Sequence, residues 1–371
     1  MRKENKKMEK MKRYIDCYIP TETCNFRCHY CYITQHRKFN NKVAEFQYEP
    51  DYIRKALSKQ RLGGTCLLNL CAGGETLIAE KVVDIAKALL EEGHYVMIVT
   101  NGSLTKRLEK IAEFPKELLS HLFFKFSFHY LELIRLKMLD KFFQNVKMMK
   151  EAGASFTVEI TPNDELEPYI DEIKRICLEK LGALPHITIG RKDTDDIPPL
   201  TEHKFEEYID IWKGFESEIF NYKTTIFGKK RKEFCYAGEW SAYLNLVTGD
   251  LRQCYCGRKI DNIYQNINKP IKFLPIGCHC TQPHCYNGHS FLSFGDIPEL
   301  ESPTYDLLRN RICSDGTEWL KPEMKAFMQS KLKDSNIEYD EKRKRKVNNK
   351  SYVHMKYTTA KKKIKEILKG K

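Results

Sequence analysis

The 371-residue chain lacks any apolar run of roughly 18 residues, the length from which a membrane-spanning helix is inferred. Its first residues are basic and polar, so the apolar segment of a secretory signal peptide is missing as well. No internal repeat stands out. These absences argue against a membrane span and against export, and we expect a cytoplasmic protein without a membrane partner.

A disulfide framework is not expected either, although the chain has 14 cysteines, because disulfides are rare in proteins that are not exported. Ten of the cysteines fall into two groups, one near the N-terminus and one after residue 234. The other four lie in apolar runs or on the apolar face of a helix, where free cysteine packs as a small hydrophobe. They are Cys17, Cys66, Cys71 and Cys177.

The net charge of +13 is concentrated at the two ends of the chain. Residues 1–13 carry +5 and residues 321–371 carry +11, which leaves −3 for residues 14–320. Basic runs such as 342–346 fit contact with nucleic acid or another anionic surface. We favour a solvated, partly helical tail, because a nearly neutral body is not typical of a dedicated nucleic-acid binder.

Short strands alternate with longer helices from residue 14 to about residue 220. Alternation of this kind predicts an α/β fold with a parallel sheet and right-handed crossovers. Six units fit a partial (βα)6 TIM-type barrel, and a flat doubly wound sheet stays open because it has the same alternation. The predicted strands are 14–19, 66–71, 95–100, 122–129, 155–160 and 186–190, and the predicted helices are 51–60, 77–92, 104–112, 131–151, 164–180 and 201–219.

Two of these strands have one polar face, unlike strands that are buried on both sides. In 121–129 the polar positions include Ser127 and His129, and in 155–160 they include Glu159. In a barrel this face would line the lumen, where polar groups need partners. A cofactor lying across the lumen would supply them, and a water-filled lumen is the alternative.

Residues 221–313 differ from the barrel segment because they are rich in cysteine, glycine and tyrosine. Residues 240–250 are typical of a hairpin with a glycine turn. We therefore predict a small, cysteine-rich, metal-stapled domain after the barrel. The predicted division is a basic N-terminal tail over 1–13, a barrel over 14–220, the small domain over 221–320 and a basic C-terminal tail over 321–371.

The first cysteine group has the spacing C-x3-C-x2-C, at Cys24, Cys28 and Cys31. Three thiolates on one loop can hold three irons of a [4Fe-4S] cluster and leave the fourth iron without a protein ligand. A zinc site would need a fourth His or Cys to close its tetrahedron. A zinc knuckle or a disulfide is the alternative interpretation.

The segment 23–32, with Tyr30 just before the last cysteine, resembles the cluster loop of the radical S-adenosylmethionine (SAM) superfamily. The resemblance implies that Cys24, Cys28 and Cys31 hold a catalytic [4Fe-4S] cluster, that its open iron chelates SAM, and that Tyr30 lies beside the cofactor. It also implies reductive cleavage of SAM to a 5′-deoxyadenosyl radical, which abstracts a hydrogen atom from a substrate.

Further motifs fit this resemblance at the ends of predicted strands. Gly73, Gly74 and Glu75 resemble the GGE motif that binds the aminium of SAM, although Thr76 replaces the usual proline. Thr100 begins a segment, with Asn101, that resembles the T-N-G segment near the SAM cleft.

Because catalytic groups of such barrels lie at the carboxyl ends of strands, three more side chains are candidates for contacts with the SAM ribose, its carboxylate or the substrate. These are Ser127, His129 and Glu159. By fold analogy, Ile187 and Gly190 would flank the adenine.

The second cysteine group opens with C-x13-G-x4-C, which resembles the SPASM domain that carries auxiliary iron–sulfur clusters in many radical SAM enzymes. The later spacing departs from the SPASM pattern. One or two auxiliary clusters are expected, and three interleaved histidines keep zinc as an alternative. The candidate ligands are Cys235, Cys254, Cys256, Cys278, Cys280, Cys285 and Cys313.

The resemblance predicts a radical SAM oxidoreductase or maturase-type enzyme with a SPASM- or twitch-like domain and a low-potential electron donor of the flavodoxin or ferredoxin type. Its substrate would be a small molecule, a glycan or a peptide. The first cysteine of the motif stands at position 24, which leaves no room before it for a leader-binding domain and favours the first two. Two alternatives stay open: a non-enzymatic iron–sulfur or zinc protein with a nucleic-acid-binding tail, and a radical enzyme that modifies RNA.

Overall fold

The structure is a computed structural model that describes residues 9–285 and 287–369. The first eight positions of the predicted N-terminal tail and the last two of the predicted C-terminal tail lie outside the described residues. Within the described ranges, no helix combines the length and the apolar character that crossing a bilayer requires.

One nine-stranded sheet organises the fold, in the order β6-β5-β4-β3-β2-β1-β7-β8-β9. Strands β1 to β6 and β7 are parallel, whereas β8 and β9 add on antiparallel. The parallel order of β1 to β6 confirms the α/β class and the barrel-type alternation. The strands are β1 Arg13–Ile19, β2 Cys66–Ala72, β3 Tyr95–Thr100, β4 Leu122–Ser127, β5 Ser155–Ile160, β6 His186–Ile187, β7 Ser241–Asn245, β8 Asp250–Arg252 and β9 Lys259–Asn262.

The helices follow the predicted crossovers, but most of the predicted helices are divided into shorter ones. Residues 131–151 break at Lys137 and residues 201–219 break near Glu216, where φ is +55° and +50° and a helix cannot continue. The helices are α1 Tyr32–Gln35, α2 Pro50–Ala56, α3 Lys59–Leu62, α4 Lys81–Glu91, α5 Thr105–Ala112, α6 Lys116–Leu119, α7 Tyr130–Arg135, α8 Leu139–Ala152, α9 Ile170–Leu181, α10 Phe205–Trp212, α11 Glu218–Ile226, α12 Gly288–Phe294, α13 Tyr305–Arg309, α14 Pro322–Gln329 and α15 Glu341–Lys369. Short 3₁₀ helices lie at Thr76–Ile78, Asp164–Tyr169, Lys213–Phe215 and Leu332–Asp334.

The two faces of the sheet carry different side chains because successive residues of a strand point to opposite sides. Residues such as Ile15, Leu68 and Phe124 belong to the larger apolar core with the crossover helices. Their sequence neighbours Tyr14, Leu67 and Phe123 belong to a second core, formed with α12, α13 and α14. The C-terminal helices therefore cover the lower part of the inner face of the sheet and leave its upper, polar part for the site.

The predicted C-terminal tail begins inside the packed structure, which corrects its N-terminal boundary. Met324, Phe327 and Met328 are spaced as one apolar helix face and are at most 1% exposed. The segment after α14 also contacts the start of β1, since Asn336 Nδ2 donates to the Lys12 carbonyl oxygen at 2.8 Å. The high net positive charge of residues 321–371 gave no indication of this apolar helix face. The division into domains stays a prediction, although β7 joins the small domain to the sheet of the barrel.

Candidate active site

The cysteine loop follows β1 at the carboxyl end of the sheet. Phe26 is 1% exposed and anchors the loop in the core. The Arg27 amide donates to Glu132 Oε2 at 2.7 Å, and the Cys31 amide donates to the Cys28 carbonyl oxygen at 3.2 Å. These contacts fix the loop from both ends and turn its thiols toward the same side.

The three thiols of this loop suit a cationic metal group. Burial raises the pKa of the Cys24 thiol to about 11 and also raises the pKa of the Cys28 and Cys31 thiols. Buried thiolates therefore need compensating positive charge, which a bound metal group supplies. The sequence motif and the burial agree on this point.

No three thiols of either cysteine group have the spacing of zinc ligands in the part of the chain that the structure describes. In a tetrahedral zinc site with Zn–S bonds of about 2.3 Å, the sulfur atoms lie about 3.8 Å apart. Among the described residues, the only three carboxylate, thiol or imidazole ligand atoms found within 4.8 Å of one another belong to Asp164, Glu167 and His203. In the second group, Cys254 Sγ and Cys256 Sγ are close together, but no third thiol lies within 4.8 Å of both.

The Gly73–Glu75 turn packs directly on the cysteine loop. A Cβ on Gly74 would collide with the Thr23 carbonyl oxygen, and one on Gly73 would lie 2.9 Å from the Thr21 carbonyl oxygen. The Gly74 amide donates to Thr21 at 2.5 Å, and the Glu75 amide donates to Thr23 at 3.1 Å. The close backbone approach that the two glycines predict is made to the cysteine loop itself.

Glu75 joins this turn to the end of β3. Its buried carboxylate accepts hydrogen bonds from the Thr100 hydroxyl at 2.7 Å, the Asn101 amide at 2.7 Å and the Leu77 amide at 3.0 Å. Burial raises the pKa of Glu75, and these hydrogen bonds partly oppose the effect. Thr76, in place of proline, accepts a hydrogen bond from the Ala72 amide at 3.0 Å.

Asn101 and His129 position the cysteine loop from two further strands. Asn101 Nδ2 lies 2.9 Å from Asn25 Oδ1 and 4.0 Å from Cys24 Sγ. The Tyr30 hydroxyl lies 2.5 Å from His129 Nδ1. Burial lowers the pKa of His129 to about 4, so its imidazole is neutral near pH 7. Strand ends and the cysteine loop thus form one hydrogen-bonded unit.

A cavity of about 740 Å³ lies above this unit, within the usual volume of small-molecule sites. The structure places every candidate residue of the barrel except Ile187 on its wall; Ile187 lies in the apolar core, and Ile189 lines the cavity instead. The candidates on the wall are Cys24, Cys28, Tyr30, Cys31, Gly73, Gly74, Glu75, Thr100, Asn101, Ser127, His129, Glu159 and Gly190.

Glu159 has protein partners that the sequence did not reveal. Its carboxylate lies 2.7 Å from Lys125 Nζ and 2.5 Å from Arg309 Nη1. Burial would raise the pKa of Glu159, but the two cations outweigh burial and hold the pKa well below its usual range. Arg309 comes from α13, 150 residues away, and no local signal marks it.

Asp16 on β1 was also missed. It is 1% exposed, accepts a hydrogen bond from Asn69 Nδ2 at 2.9 Å and another from the Tyr255 hydroxyl. Burial raises the pKa of Asp16 to about 7, although the Asn69 bond opposes the effect. An acidic residue inside an otherwise apolar predicted strand was the available signal.

The second cysteine group surrounds a separate apolar cavity, whose wall includes Ile276, Phe291 and Leu292. Cys254 Sγ and Cys256 Sγ lie 3.2 Å apart. Burial raises the pKa of the Cys235 and Cys285 thiols well above the usual value. Five candidate ligands share this cavity: Cys235, Cys254, Cys256, Cys280 and Cys285.

The two remaining candidates of this group lie elsewhere. Cys278 is not on the cavity wall, and its thiol accepts a hydrogen bond from Asn348 Nδ2 on α15 at 3.3 Å. Cys313 is buried in the larger apolar core against Gly182, and its thiol donates to the Leu181 carbonyl oxygen at 3.3 Å. The prediction that Cys313 is a ligand is wrong, because its thiol is enclosed in the apolar core. The spacing of cysteines in the sequence does not show what surrounds each thiol.

Residues 18–166 match the family model of the Radical SAM superfamily. This chain contains a radical SAM domain. A [4Fe-4S] cluster and SAM are the cofactors of that superfamily, and the donor set of the cysteine loop fits the cluster. The matched residues contain strands β2 to β5, the last two residues of β1 and the first cysteine group.

One curated relative and several solved structures are similar to the chain. An S-adenosylmethionine-dependent nucleotide dehydratase from Fibrobacter sp. (strain UWH6) is 34% identical over 101 residues, which are 25% of this chain and 28% of that protein. The chain thus matches less than a third of that relative. Streptococcus suis SuiB bound to S-adenosylmethionine has a TM-score of 0.47 at 14% identity, covering 70% of this chain and 64% of that chain. Native anSMEcpe with bound AdoMet has a TM-score of 0.47 at 15% identity, covering 68% and 79%.

Proposed function

We propose that this chain is an enzyme that cleaves SAM reductively and abstracts a hydrogen atom from a substrate bound in the 740 Å³ cavity. When bound, the reduced cluster and SAM supply the 5′-deoxyadenosyl radical. The observation that carries the proposal is the convergence of the cysteine loop and the ends of β2, β3, β4 and β5 on one cavity.

In this proposal, Cys24, Cys28 and Cys31 hold the cluster, and the turn at Gly73–Glu75 receives the aminium of SAM. Glu75 Oε2 accepts only one hydrogen bond from the described residues, so it keeps a lone pair for an aminium. Thr100 and Asn101 hold this carboxylate in place. Ser127 and Gly190, on the opposite wall, are left for the ribose and the adenine.

The small domain would close the cavity over the substrate. Tyr255, His289 and Arg309, which come from the small domain, line the cavity. A closed wall excludes water, which protects a reactive radical from side reactions. The proposal includes an oxidoreductase or maturase-type reaction and an electron donor of the flavodoxin or ferredoxin type. Its substrate would be a small molecule, a glycan or a peptide. The nucleotide named for the Fibrobacter relative belongs to the small-molecule class.

We also propose that the five cysteines of the second cavity hold one auxiliary iron–sulfur cluster. Five thiols exceed the four that full ligation needs. Tyr255 lies on the wall of both cavities, so such a cluster would sit next to the substrate and could accept an electron from a substrate radical. The isolated positions of Cys278 and Cys313 favour one auxiliary cluster over two.

The test is SAM cleavage by the full-length chain after anaerobic reconstitution with iron and sulfide. With dithionite, 5′-deoxyadenosine should form without added substrate, and Cys24→Ala should lower the rate at least 100-fold. Cys177→Ala is the matched control, since Cys177 is buried in the apolar core away from both cavities. Equal rates for Cys24→Ala and the unmodified chain would contradict the proposal.

A further inference from the structure

The inner part of the main cavity carries more positive charge than its protein partners neutralise. Lys125, Lys223 and Arg309 all line it, and Lys223 and Arg309 are 4% and 0% exposed. Glu159, which pairs with two of them, is the one carboxylate of the described residues within ion-pair distance of these three side chains. They therefore offer more donors than it can accept, and unbalanced buried charge is costly.

Arg309 has donors that meet no protein acceptor at hydrogen-bond geometry. Burial would lower the pKa of its guanidinium, but the nearby Tyr305 side chain helps to raise this pKa. Its Nη1 is bonded to Glu159, whereas Nε and Nη2 have no hydrogen-bond partner among the described residues despite full burial. The ring of Tyr305 lies below the guanidinium, 5.0 Å from its carbon. An aromatic face does not replace oxygen acceptors, and unsatisfied buried donors destabilise a fold. These donors point to an acceptor that the chain itself does not provide.

Lys223 shows the same lack of a counter-charge. Its Nζ donates to the Thr188 hydroxyl at 2.6 Å, and no carboxylate of the described residues lies within 4.0 Å of it. Burial lowers the pKa of Lys223 well below its usual range, the positive charges of Arg191, Lys125 and Arg309 add to that effect, and Glu159 partly opposes it. A bound anion would oppose it further, so anion binding and protonation of Lys223 are expected to favour each other.

Most acidic groups of the cavity lie apart from these cations. Asp193 and Asp195 are at the exposed rim, and Glu75 is bonded to Thr100 and the Asn101 amide at the SAM end. Asp16 lines the cavity within electrostatic reach of Lys125, but burial raises its pKa to about 7 and it accepts hydrogen bonds from Asn69 and Tyr255. His289, in contrast, lines the basic part, and its Nδ1 has no partner among the described residues. The cavity thus has one basic region with several unused donors.

We propose that this region binds a phosphoryl group of a small-molecule substrate, held by Lys223, Arg309 and Lys125. The proposal rests on the proposed function and names its substrate class. A phosphoryl group offers three acceptor oxygens to the unused donors and carries up to two charges, whereas a carboxylate offers two oxygens and one charge. The carboxylate of SAM is the competing occupant, and it carries a single charge.

Isothermal titration of the full-length reconstituted chain with inorganic pyrophosphate, at saturating SAM, tests the proposal. One pyrophosphate should bind per chain, and acetate at the same concentration should not displace it. Lys223→Met should weaken pyrophosphate binding at least tenfold while weakening SAM binding less. Lys147→Met is the control, because Lys147 is 73% exposed on α8 and far from the cavity wall. Should Lys223→Met fail to fold, Lys223→Gln keeps a polar contact with Thr188.

Two results would overturn the inference: unchanged pyrophosphate affinity in the folded Lys223 variant, or a loss of SAM affinity as large as the loss of pyrophosphate affinity. The second result would assign the cations to the SAM carboxylate. Because binding needs no SAM cleavage, the two proposals fail separately. If the chain cleaves SAM but does not bind pyrophosphate, only the proposed phosphoryl site is refuted. If it binds pyrophosphate but does not cleave SAM, only the proposed SAM-cleaving activity is refuted.

Discussion

The two cysteine groups are built in opposite ways. Cys24, Cys28 and Cys31 lie on one short loop that is held by main-chain contacts to the Gly73–Glu75 turn and by Asn101. The second group draws five cysteines from a span of 51 residues, 235–285, around an apolar cavity. Three donors leave a coordination position for a small molecule, whereas five donors can enclose a cluster completely. The first arrangement suits chemistry on a ligand, and the second suits electron transfer.

A hydrogen bond connects the second group to the strand that leads into the first group. Tyr255, between two cysteines of the second group, donates to Asp16 on β1, the strand that leads into the cysteine loop. Tyr255 also packs on Tyr243 with ring centroids 4.9 Å apart. A change at either end of this bond is therefore expected to reach both regions.

The largest effect is expected at Gly74, because the first group depends on backbone approach. Gly74→Val would push the Thr23 carbonyl oxygen and the cysteine loop away from their positions. We expect at least a 100-fold loss of 5′-deoxyadenosine formation and a loss of about four irons per chain, measured by iron analysis after reconstitution. The iron of the second group should remain.

Gly214→Ala is the control for this substitution. Its Cβ would meet only the flexible end of Lys174, so cluster content and SAM cleavage should not change. If Gly74→Val kept full SAM cleavage, the close approach of the two loops would not be what holds the first group in place.

The second largest effect is expected in iron content, which distinguishes an auxiliary iron–sulfur cluster at the second cysteine group from a zinc site. The unmodified chain should bind roughly eight irons, and the triple variant Cys254→Ala/Cys256→Ala/Cys280→Ala should bind roughly four, since only two thiols remain in the second cavity, fewer than the three that would hold the first cluster. Substrate-free SAM cleavage should persist. Cys313→Ala should change neither value, because Cys313 lies in the apolar core. A chain with four irons or fewer and stoichiometric zinc would rule out the auxiliary cluster.

The strands and the first cysteine group could be predicted from the sequence, because both depend on neighbouring residues. Five of the six predicted barrel strands match within two residues, since buried apolar runs define them. The Gly73–Glu75 turn was found for the same reason. Contacts between distant segments were not found: the pairing of Glu159 with Arg309 and of Asp16 with Tyr255 has no local signal.

Two wrong predictions rest on cysteine spacing and on net charge, and neither property shows which side chains are buried. The place of Cys313 after the other cysteines predicts a ligand, yet its thiol donates to the Leu181 carbonyl oxygen in the core. The charge of the segment around α14 predicts a tail, although Met324, Phe327 and Met328 form a buried face. Composition averages over a segment, whereas burial depends on which side of the helix each residue occupies.

A third, smaller effect concerns the bond between the two regions. The pKa of Asp16 is raised from 3.8 to about 7, so the folded chain binds more protons than the unfolded chain between these values. The free energy of unfolding should therefore decrease as pH rises from about 4 to 7 and change little from this group above 7. Asp16→Asn should flatten this part of the profile, measured by denaturant unfolding from pH 4.5 to 8.

The comparison with the unmodified chain cancels the pH dependence of metal binding itself, which both proteins share. Tyr243→Phe is the control, because it keeps the ring contact with Tyr255 and leaves Asp16 in place. An identical slope in Asp16→Asn and the unmodified chain would show that this carboxyl does not titrate in that range.

The smallest effect is expected from the end of α15, where the basic residues lie apart from both cysteine groups. Residues up to Asn348 and Ser351 contact the loop at Gly277 and Cys278, whereas Lys356 and Lys361 lie on an exposed part of the helix. Deleting 356–371 should leave iron content and SAM cleavage within twofold, and deleting 321–371 should abolish folding because it removes the buried face of α14.

If the tail only keeps the chain solvated, RNA affinity should be weak in both the unmodified chain and the shorter deletion. A steep dependence of RNA affinity on salt that disappears with residues 356–371 would instead favour a radical enzyme that acts on RNA.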